Sequence, residues 1–352
     1  MLVNNFPDRT ITIENREYLY FGGTAYLGLA THTEFQQVLF QSIKKWGTFY
    51  GSSRSSNIKL SVYNQFEDFF AKQIGAEASL TVSSGTLAGK LVIDFLATQN
   101  QIFFHYPKTH PAILAKHSLP LIVNDKLHPR LLDDIKEEIV ITADAILGLE
   151  VQPTSFEFLE HIPSHKKITL IIDESHSLGV IGKQGKGVFN SLQYKSIQRK
   201  IMISSLGKAL GLSGGIIAAD NEFINVLKEE SIFVSSSAAN PAYLETYINT
   251  QSIYKEQQLR LQHNLGYLSA QLKSNKNIKF HKNYPVIYCE DDAIYEELFK
   301  EGVVITNFKY PTYKKLMSRI VITANHIESD LKTLIQVLNK EKKNLIKESN
   351  EL

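Results

Sequence analysis

Two polar residues that each follow a short apolar run are the best candidates for chemistry in this chain. Asp173 comes directly after Ile168–Ile172, and Lys208 comes soon after Ile201–Ile203. Both runs are short, rich in β-branched residues and flanked by strand breakers, which is typical of buried strands in a parallel sheet. Since ligands of open α/β sheets bind beyond the carboxyl ends of the strands, we expect the two side chains to share one site.

An aspartate and a lysine in this arrangement meet the needs of an enzyme that uses pyridoxal phosphate (PLP). The amine of Lys208 would form a Schiff base with the cofactor aldehyde, and the carboxylate of Asp173 would keep the pyridine nitrogen protonated. The ring could then withdraw electrons from a carbanion. If these two residues are considered alone, a solvated salt bridge on a loop is the simpler interpretation.

Two motifs around this pair resemble those of a known family. The segment DESHSLGVIGKQGKG, residues 173–187, is similar to D-E-x-H-S-x-G-x-x-G-x-x-G-x-G, and SLGKALG, from Ser205, is similar to T-x-G-K-A-x-G. Both are motifs of the α-oxoamine synthases, the fold-type I PLP family that contains 8-amino-7-oxononanoate synthase and 2-amino-3-ketobutyrate CoA ligase. Here Ser175 replaces the usual alanine, and Ser205 replaces the usual threonine.

The resemblance implies an α/β fold, a cofactor and a reaction. The fold would be a large, mostly parallel central sheet flanked by helices, with a smaller α+β domain at the carboxy terminus. The expected divisions are an N-terminal segment that packs with the small domain (1–50), a PLP-binding domain (51–240), and a linker helix with the small domain (241–352). The implied reaction is the decarboxylative condensation of an amino acid with an acyl-CoA, as in biotin biosynthesis, by a homodimer with a shared active site.

The family motifs also indicate which residues would hold the cofactor. His176 would contact its phenolic oxygen, and His110 would stack on its ring, with His105 and His117 as competing candidates. The segment SLTVSSGTLAGK reads as strand, turn and helix, and the small residues of the turn would let backbone N–H groups approach a phosphate. The expected phosphate ligands are Ser84, Gly85, Thr86, Ser204, Ser205 and, for the neighbouring subunit, Ser237 or Ser236.

Candidate substrate residues come from three separate segments. Arg319 stands seven positions before His326, as the carboxylate-binding arginine of the family does, and a guanidinium can hold a carboxylate through two hydrogen bonds. Thr24 and Tyr26 lie in FGGTAYLGL, where a Thr-Ala pair replaces the family's Asn-Asp pair. Arg54 matches the arginine of a G-S-R loop, although a lone arginine in a serine-rich loop is usually solvated.

One segment departs strongly from the family, so alternatives remain open. The family strand normally ends T-E-G-x-F-S-M-D-G-D, whereas here we expect the strand to end in GLEVQPTSF. An aminotransferase or an aldolase of the same fold is therefore the second interpretation. Many aminotransferases have a tyrosine three residues after the aspartate, and His176 at that position favours the synthase. A cofactor-binding protein without catalysis is disfavoured by the presence of Lys208, Asp173 and Arg319.

Composition limits the class of protein, the partners and the kinds of metal site that can be expected. The chain has 352 residues, 43% of them hydrophobic and 21% charged, which is ordinary for a globular protein. A formal net charge of +2 gives no reason to expect a nucleic-acid or membrane partner. The amino terminus lacks a signal-peptide pattern, and one cysteine, Cys289, excludes an internal disulfide and a cysteine-only metal site. We expect a cytoplasmic enzyme without a metal.

The remaining pattern predicts alternating strands and helices. A helix is expected after Asn124 and Asp125, and a long amphipathic helix is expected over 240–272. Other strands are expected within 11–20, as a pair, and at 80–82, 102–105, 214–220, 286–289, 303–306 and 319–323. Other helices are expected at 35–46, 62–74, 87–96, 221–230, 292–301 and 328–347.

Overall fold

The structure is a computed structural model that describes residues 1–99, 101–148, 150–272, 277–290, 293–308 and 317–348, with side chains as far as Asn339. Its strands are β1 (Thr10–Ile13), β2 (Arg16–Phe21), β3 (Ala78–Val82), β4 (Ile102–His105), β5 (Leu119–Pro120), β6 (Ile122–Val123), β7 (Lys126–Leu127), β8 (Glu137–Asp144), β9 (Lys166–Asp173), β10 (Ile197–Ser205), β11 (Gly215–Ala219), β12 (Ile278–Phe280), β13 (Val286–Cys289), β14 (Val303–Phe308) and β15 (Met317–Val321). Its α-helices are α1 (Thr33–Trp46), α2 (Ser61–Ile74), α3 (Gly85–Ala97), α4 (Asn221–Leu227), α5 (Ser231–Ser235), α6 (Pro241–Asn249), α7 (Gln251–Gln271), α8 (Ile294–Lys300) and α9 (Glu328–Glu348). Among the described helices, none is long and apolar enough to cross a bilayer.

The chain divides into two compact units. The large unit contains Thr33–Gly148 and Pro153–Gln251, and the small unit contains Met1–His32, Leu149–Gln152 and Ser252–Leu352. The domain limits expected from the sequence, at residues 50 and 240, stay a prediction. Asp292, where a predicted helix begins, lies outside the described residues, as do residues 349–352.

The large unit is built on a mostly parallel sheet. The described strands follow the order β3-β11-β10-β9-β8-β4-β5, in which β11 is antiparallel to both of its neighbours. The strands predicted around Ile168–Ile172 and Ile201–Ile203 are β9 and β10, and they lie at its centre. Their aliphatic side chains are buried on both faces, as a parallel sheet covered by helices requires. Helices α3 and α4 contribute to the core on one of these faces.

The small unit joins the two ends of the chain in one sheet. Its order is β1-β2-β14-β15-β13-β12, and β2 pairs in parallel with β14. The strand pair predicted within 11–20 is the hairpin of β1 and β2. His326 is buried here, with its ring stacked on Phe21 at 4.1 Å between centroids and its Nε2 3.0 Å from the carbonyl oxygen of Tyr20.

The helix expected over 240–272 is interrupted at Thr250. Helices α6 and α7 lie on its two sides, because Thr250 leaves the helical conformation with φ −119° and ψ 24°. Its hydroxyl donates to the carbonyl of Thr246 at 2.7 Å, a local bond that competes with regular helix formation. The break lies beside the limit between the two units.

A hairpin stands where a helix was expected after Asn124 and Asp125. These two residues join β6 to β7 with φ values of 50° and 60°. Positive φ at both central positions is what a type I′ hairpin turn needs, and Asn and Asp tolerate it well. The helical structure that follows is a short 3₁₀ turn, Pro129–Leu131.

Strand β8 ends earlier than the sequence analysis expected. Its last residue is Asp144, before the GLEVQPTSF segment. The N–H of Ala145 still donates to the carbonyl of Asp173 at 2.9 Å, and the carbonyl of Ala145 accepts the N–H of Thr154 at 2.9 Å. The chain therefore returns to the sheet edge at Thr154 after its excursion.

The loop after β9 folds around the buried carboxylate of Glu174. Its Oε1 accepts the N–H groups of Val188 and Phe189 at 2.7 and 2.8 Å, and the hydroxyl of Ser177 also donates to the carboxylate. Gly187 packs against this group with φ 77°, and a Cβ there would lie 2.6 Å from the carboxyl carbon. A glycine is therefore needed both for the backbone conformation and for space.

We expect Gly187→Ala to destabilise the fold more than Gly47→Ala. Both glycines have φ 77°, a conformation that costs an alanine about 1–2 kcal/mol. The nearest atom to a Cβ at Gly47 is 3.9 Å away, whereas at Gly187 the methyl must also displace the Glu174 carboxylate, at a further cost of about 1–3 kcal/mol. Urea unfolding followed by circular dichroism measures both losses. Equal losses would show that Glu174 gives way freely.

Candidate active site

The structure brings Lys208 and His176 together at the carboxyl ends of β9 and β10. The Nζ atom of Lys208 lies 2.9 Å from Nε2 of His176. Asp173 is the last residue of β9, is 7% exposed, and pairs in register with Ile203 of β10. Three of the residues predicted from the sequence thus leave the same edge of the large-unit sheet.

His110 lies within electrostatic reach of the same residues. Burial lowers the pKa of His110, Asp173 acts to raise it, and Lys208 acts to lower it. The neutral imidazole is therefore favoured, which is the form that stacks best on a cationic ring. Of the competing histidines, His105 pairs through Nδ1 with the hydroxyl of Ser118 at 2.9 Å.

Two hydrogen bonds fix the position of His110. Its backbone N–H donates to Oδ2 of Asp144 at 2.9 Å, and its Nδ1 accepts the N–H of Ala112 at 3.2 Å. Because Nδ1 accepts a hydrogen bond, the neutral ring carries its proton on Nε2. The ring is thus held in one tautomer as well as one place.

Asp144 is a residue of this site that the sequence analysis missed. It ends β8, is 3% exposed, and pairs in register with Asp173 of β9. Burial raises the pKa of Asp144 well above the usual range, the negative charge of Asp173 raises it further, and the N–H of His110 opposes both effects. The signal in the sequence was an acidic residue at the end of the apolar run that precedes β9. The departure from the family motif S-M-D-G-D lies after this residue and does not point to it.

The N-terminus of α3 lies against the end of β10. Ser84 caps the helix by accepting the N–H of Leu87 at 3.1 Å. A Cβ at Gly85 would lie 2.8 Å from the Cα of Ser205, so the two backbones approach too closely for any side chain at Gly85. Ser84 and Thr86 are exposed, and the N–H groups of this helix end can bind an anion.

The serines near this helix end have different surroundings. The N–H of Ser205 donates to Oγ of Ser175 at 2.8 Å, and Oγ of Ser205 accepts the N–H of Gly207 at 3.2 Å. Ser204 is fully buried and its hydroxyl donates to the carbonyl of Ser205 at 3.0 Å, so the phosphate role expected for it stays a prediction without support from its surroundings. Successive strand residues face opposite sides of the sheet, which favours Ser205 over Ser204 as a ligand at this edge. Ser237 is exposed, and its contact with a second subunit stays a prediction.

Arg54 is neither solvated nor free to bind a ligand. Its guanidinium forms an ion pair with Glu67, donates to Oγ1 of Thr81 at 3.0 Å, and lies over the ring of Tyr63 at 4.2 Å. The side chain is 10% exposed. These contacts tie the serine-rich loop to α2 and β3, and they argue against the substrate role expected for Arg54.

In the small unit, Arg319 presents an unmatched donor. It lies on β15 between Tyr288 of β13 and Thr306 of β14 in the strand register. Its Nη2 donates to the carbonyl of Gly23 at 3.2 Å, while its buried Nε has no hydrogen-bond partner among the described residues. Within the same residues, no carboxylate forms an ion pair with Arg319. A half-buried guanidinium whose buried Nε lacks a partner among the described residues suits an anionic ligand.

The N-terminal segment predicted to contact substrate lies beside this arginine. Gly23 precedes Thr24, which is half-buried. Tyr26 is 1% exposed, and its hydroxyl lies 3.2 Å from that of Tyr284. Burial raises the pKa of Tyr26, the hydrogen bond with Tyr284 lowers it, and the charge of Arg319 lowers it. Tyr26 is therefore a neutral phenol that lines the surroundings of Arg319.

Burial disfavours the charged form of Glu174. Burial raises the pKa of Glu174 to about 7, although Ser177 and the N–H groups of Val188 and Phe189 act in the opposite direction. The charge of Asp173 is a further, smaller cause of the rise. Near neutral pH the loop after β9 is therefore held by a carboxyl group that is close to its titration point.

The large-unit residues together suit one kind of ligand. They provide an amine, a buried carboxylate, a neutral imidazole and an open helix N-terminus. Such a set fits a flat molecule that carries an aldehyde, a basic ring nitrogen and a phosphate.

A family model for aminotransferase class I and II matches residues 154–338, which is more than half of the chain. The chain belongs to this family. The matched region includes Asp173, His176, Lys208 and Arg319, and it begins after Asp144 and His110.

Individual relatives narrow the resemblance. The chain is 25% identical over 355 residues to an 8-amino-7-oxononanoate synthase from Thermoanaerobacter pseudethanolicus, covering 95% of this chain and 90% of the relative. Among solved structures, an 8-amino-7-oxononanoate synthase from Francisella tularensis matches with a TM-score of 0.71 at 21% identity, covering 94% of this chain and 99% of the other. A serine palmitoyltransferase from S. paucimobilis, solved with PLP and myriocin bound, matches with a TM-score of 0.79 at 16% identity, covering 94% and 88%. The resemblance to the α-oxoamine synthases and the fold-type I architecture are confirmed.

We expect the contribution of Glu174 to the stability of the protein to become less favourable as pH rises from about 4 to 8. The folded state binds the Glu174 proton more tightly than the unfolded state, so ionisation costs about 3 kcal/mol of folding free energy once the pH exceeds the raised pKa. Glu174→Gln keeps an acceptor for Val188 and Phe189 without this charge. Urea titrations at about pH 4 and pH 8 measure the free energy of unfolding of both proteins. The value for Glu174→Gln relative to wild type should be higher at the higher pH. A constant difference would contradict the raised pKa.

Proposed function

We propose that this protein is a PLP-dependent transferase that condenses an amino acid with an acyl-CoA, with loss of carbon dioxide, in the manner of 8-amino-7-oxononanoate synthase. The observation that carries the proposal is the 2.9 Å approach of Lys208 Nζ to His176 Nε2 at the strand end that bears Asp173. The similarity to 8-amino-7-oxononanoate synthases over nearly the whole chain supports the choice of reaction.

The cofactor would be held by residues of the large unit. Lys208 would bond its aldehyde carbon, Asp173 would pair with its ring nitrogen, and His110 would cover its ring. The N–H groups at the start of α3 would bind its phosphate, since Gly85 allows the helix end to lie close to the end of β10. When bound, PLP supplies an electron sink for the negative charge that develops on the α-carbon of the amino acid.

The protein groups would bind the substrate and move its proton. We propose that Arg319 holds the carboxylate of the amino acid, since its Nε lacks a partner in the described part of the chain. The Nζ of Lys208 would remove the α-proton, and His176, 2.9 Å away, would orient that amine. We also propose a homodimer, in which Ser237 reaches the phosphate of the partner subunit.

The reaction can be tested with L-alanine and pimeloyl-CoA. We expect release of free thiol and carbon dioxide only when both substrates are present, because the condensation would join the α-carbon of the amino acid to the acyl group, with CoA leaving as the thiol and the carboxylate as carbon dioxide. Thiol release is measured with a chromogenic disulfide, and carbon dioxide from carboxyl-labelled alanine. Oxo acid formed from alanine without thiol release would instead establish an aminotransferase, and other amino acids and acyl chains extend the test.

We expect Lys208→Ala to abolish covalent trapping of the cofactor. Borohydride reduction of the wild type with PLP should attach the cofactor to Lys208 permanently, which intact-mass spectrometry detects after denaturation. Lys183→Ala is the matched control, because Lys183 is an exposed lysine of the loop after β9 and should not affect trapping. Stoichiometric trapping by the Lys208 variant would mean that another lysine holds the cofactor.

A further inference from the structure

A buried carboxylate at the end of β8 has no role in the reaction described so far. Asp144 is 3% exposed and is placed beside Asp173 by the parallel register of β8 and β9. Burying a carboxyl group is costly unless its oxygens are hydrogen-bonded. Its Oδ2 has one such partner, the backbone N–H of His110 at 2.9 Å.

Asp144 is itself held firmly by the sheet. Main-chain hydrogen bonds of β8 to β9 continue to this position, and the N–H of Ala145 donates to the carbonyl of Asp173. The carbonyl of Asp144 also accepts the hydroxyl of Thr154 at 2.6 Å. The carboxylate therefore projects from a fixed point.

The turn that carries His110 needs such an anchor. It is a short 3₁₀ turn, Pro111–Ile113, with His110 as its first flanking residue. On one side it packs on α3, where a Cβ at Gly89 would lie 3.0 Å from the carbonyl carbon of Ala112. The hydrogen bond to Asp144 ties the His110 backbone itself to the sheet, next to a longer bond of 3.3 Å from the Thr109 hydroxyl to the carbonyl of Thr142 in β8.

We propose that Asp144 is a positioning residue for the cofactor site, which fixes His110 through the bond from its backbone N–H to the Asp144 carboxyl group. This inference rests on the proposed function, because it takes His110 to be the residue that covers the PLP ring. Asp144 acts as a hydrogen-bond acceptor, and its charge is not required. Burial and the charge of Asp173 both raise the pKa of Asp144, and an oxygen of the carboxyl group can accept this bond in the protonated form as well as in the ionised one.

The acceptor role separates two substitutions at Asp144. Asp144→Asn keeps an oxygen for the His110 N–H, whereas Asp144→Ala leaves that N–H without a partner. We expect Asp144→Ala to weaken PLP binding about tenfold, since the released turn that carries His110 must then be ordered when PLP binds, and ordering of this kind carries a cost of about that size. Asp144→Asn should stay within about threefold of wild type, since it keeps the acceptor. Fluorescence titration with PLP measures both values.

Two further measurements distinguish positioning from general stability. In the purified protein without PLP, hydrogen exchange at the His110 amide should accelerate in Asp144→Ala but not in Asp144→Asn. In a His110→Ala background, Asp144→Ala should cause no additional loss of PLP affinity, because its effect passes through His110. Thr154→Val removes a neighbouring hydrogen bond to Asp144 but not the link to His110, and it should leave PLP affinity unchanged.

Other outcomes would overturn the proposal. Equal losses of affinity in the Asn and Ala variants would show that charge matters and the acceptor does not. Additive losses in the double variant would show that Asp144 acts independently of His110. If the wild type fails to bind PLP, the proposed function is refuted, while the exchange rates at His110 still decide whether Asp144 fixes that backbone.

Discussion

The site depends on the register of three parallel strands, β8, β9 and β10. Main-chain hydrogen bonds align their carboxyl ends, so that Asp144 lies opposite Asp173 and Asp173 lies opposite Ile203. Every polar group of the large-unit site is then placed by a short segment that leaves this edge. A slip of one residue in any of the strands would turn the carboxylates to the other face of the sheet. The positions of the acidic groups in the site are therefore determined by the pairing of the strands and not by contacts between side chains.

Strand β9 is also secured by buried charge at both ends. At its start, the fully buried amine of Lys166 lies 2.5 Å from Asp133 and 2.8 Å from Glu137. Just after its end, Glu174 gathers the glycine-rich loop through hydrogen bonds. A buried charge without partners would be severely destabilising. Arrangements of the chain that separate Lys166 or Glu174 from these partners are therefore strongly disfavoured. Asp173 lies between these two groups in β9, and both help to fix its position.

Much of the fold and part of the site could be predicted from the sequence, for identifiable reasons. Apolar runs with abrupt polar ends located β9 and β10, the glycine-rich motif located Asp173, and the SLGKALG motif located Lys208, because these signals are local. Asp144 and the Glu67 partner of Arg54 were missed because their roles depend on which strands become neighbours. The interruption at Thr250 was missed because helical sequence continues on both sides of it, in α6 and α7.

The hydroxyl of Ser175 limits which substitutions the protein tolerates at this position without loss of stability. The family motif that this segment resembles has alanine at this position, but here the hydroxyl accepts the N–H of Ser205 at 2.8 Å and so links the turn after β9 to the end of β10. Replacing it with the consensus residue would remove the acceptor from a half-buried amide, with a penalty of about 1–3 kcal/mol. Consensus design, which often stabilises enzymes, would act against stability at Ser175.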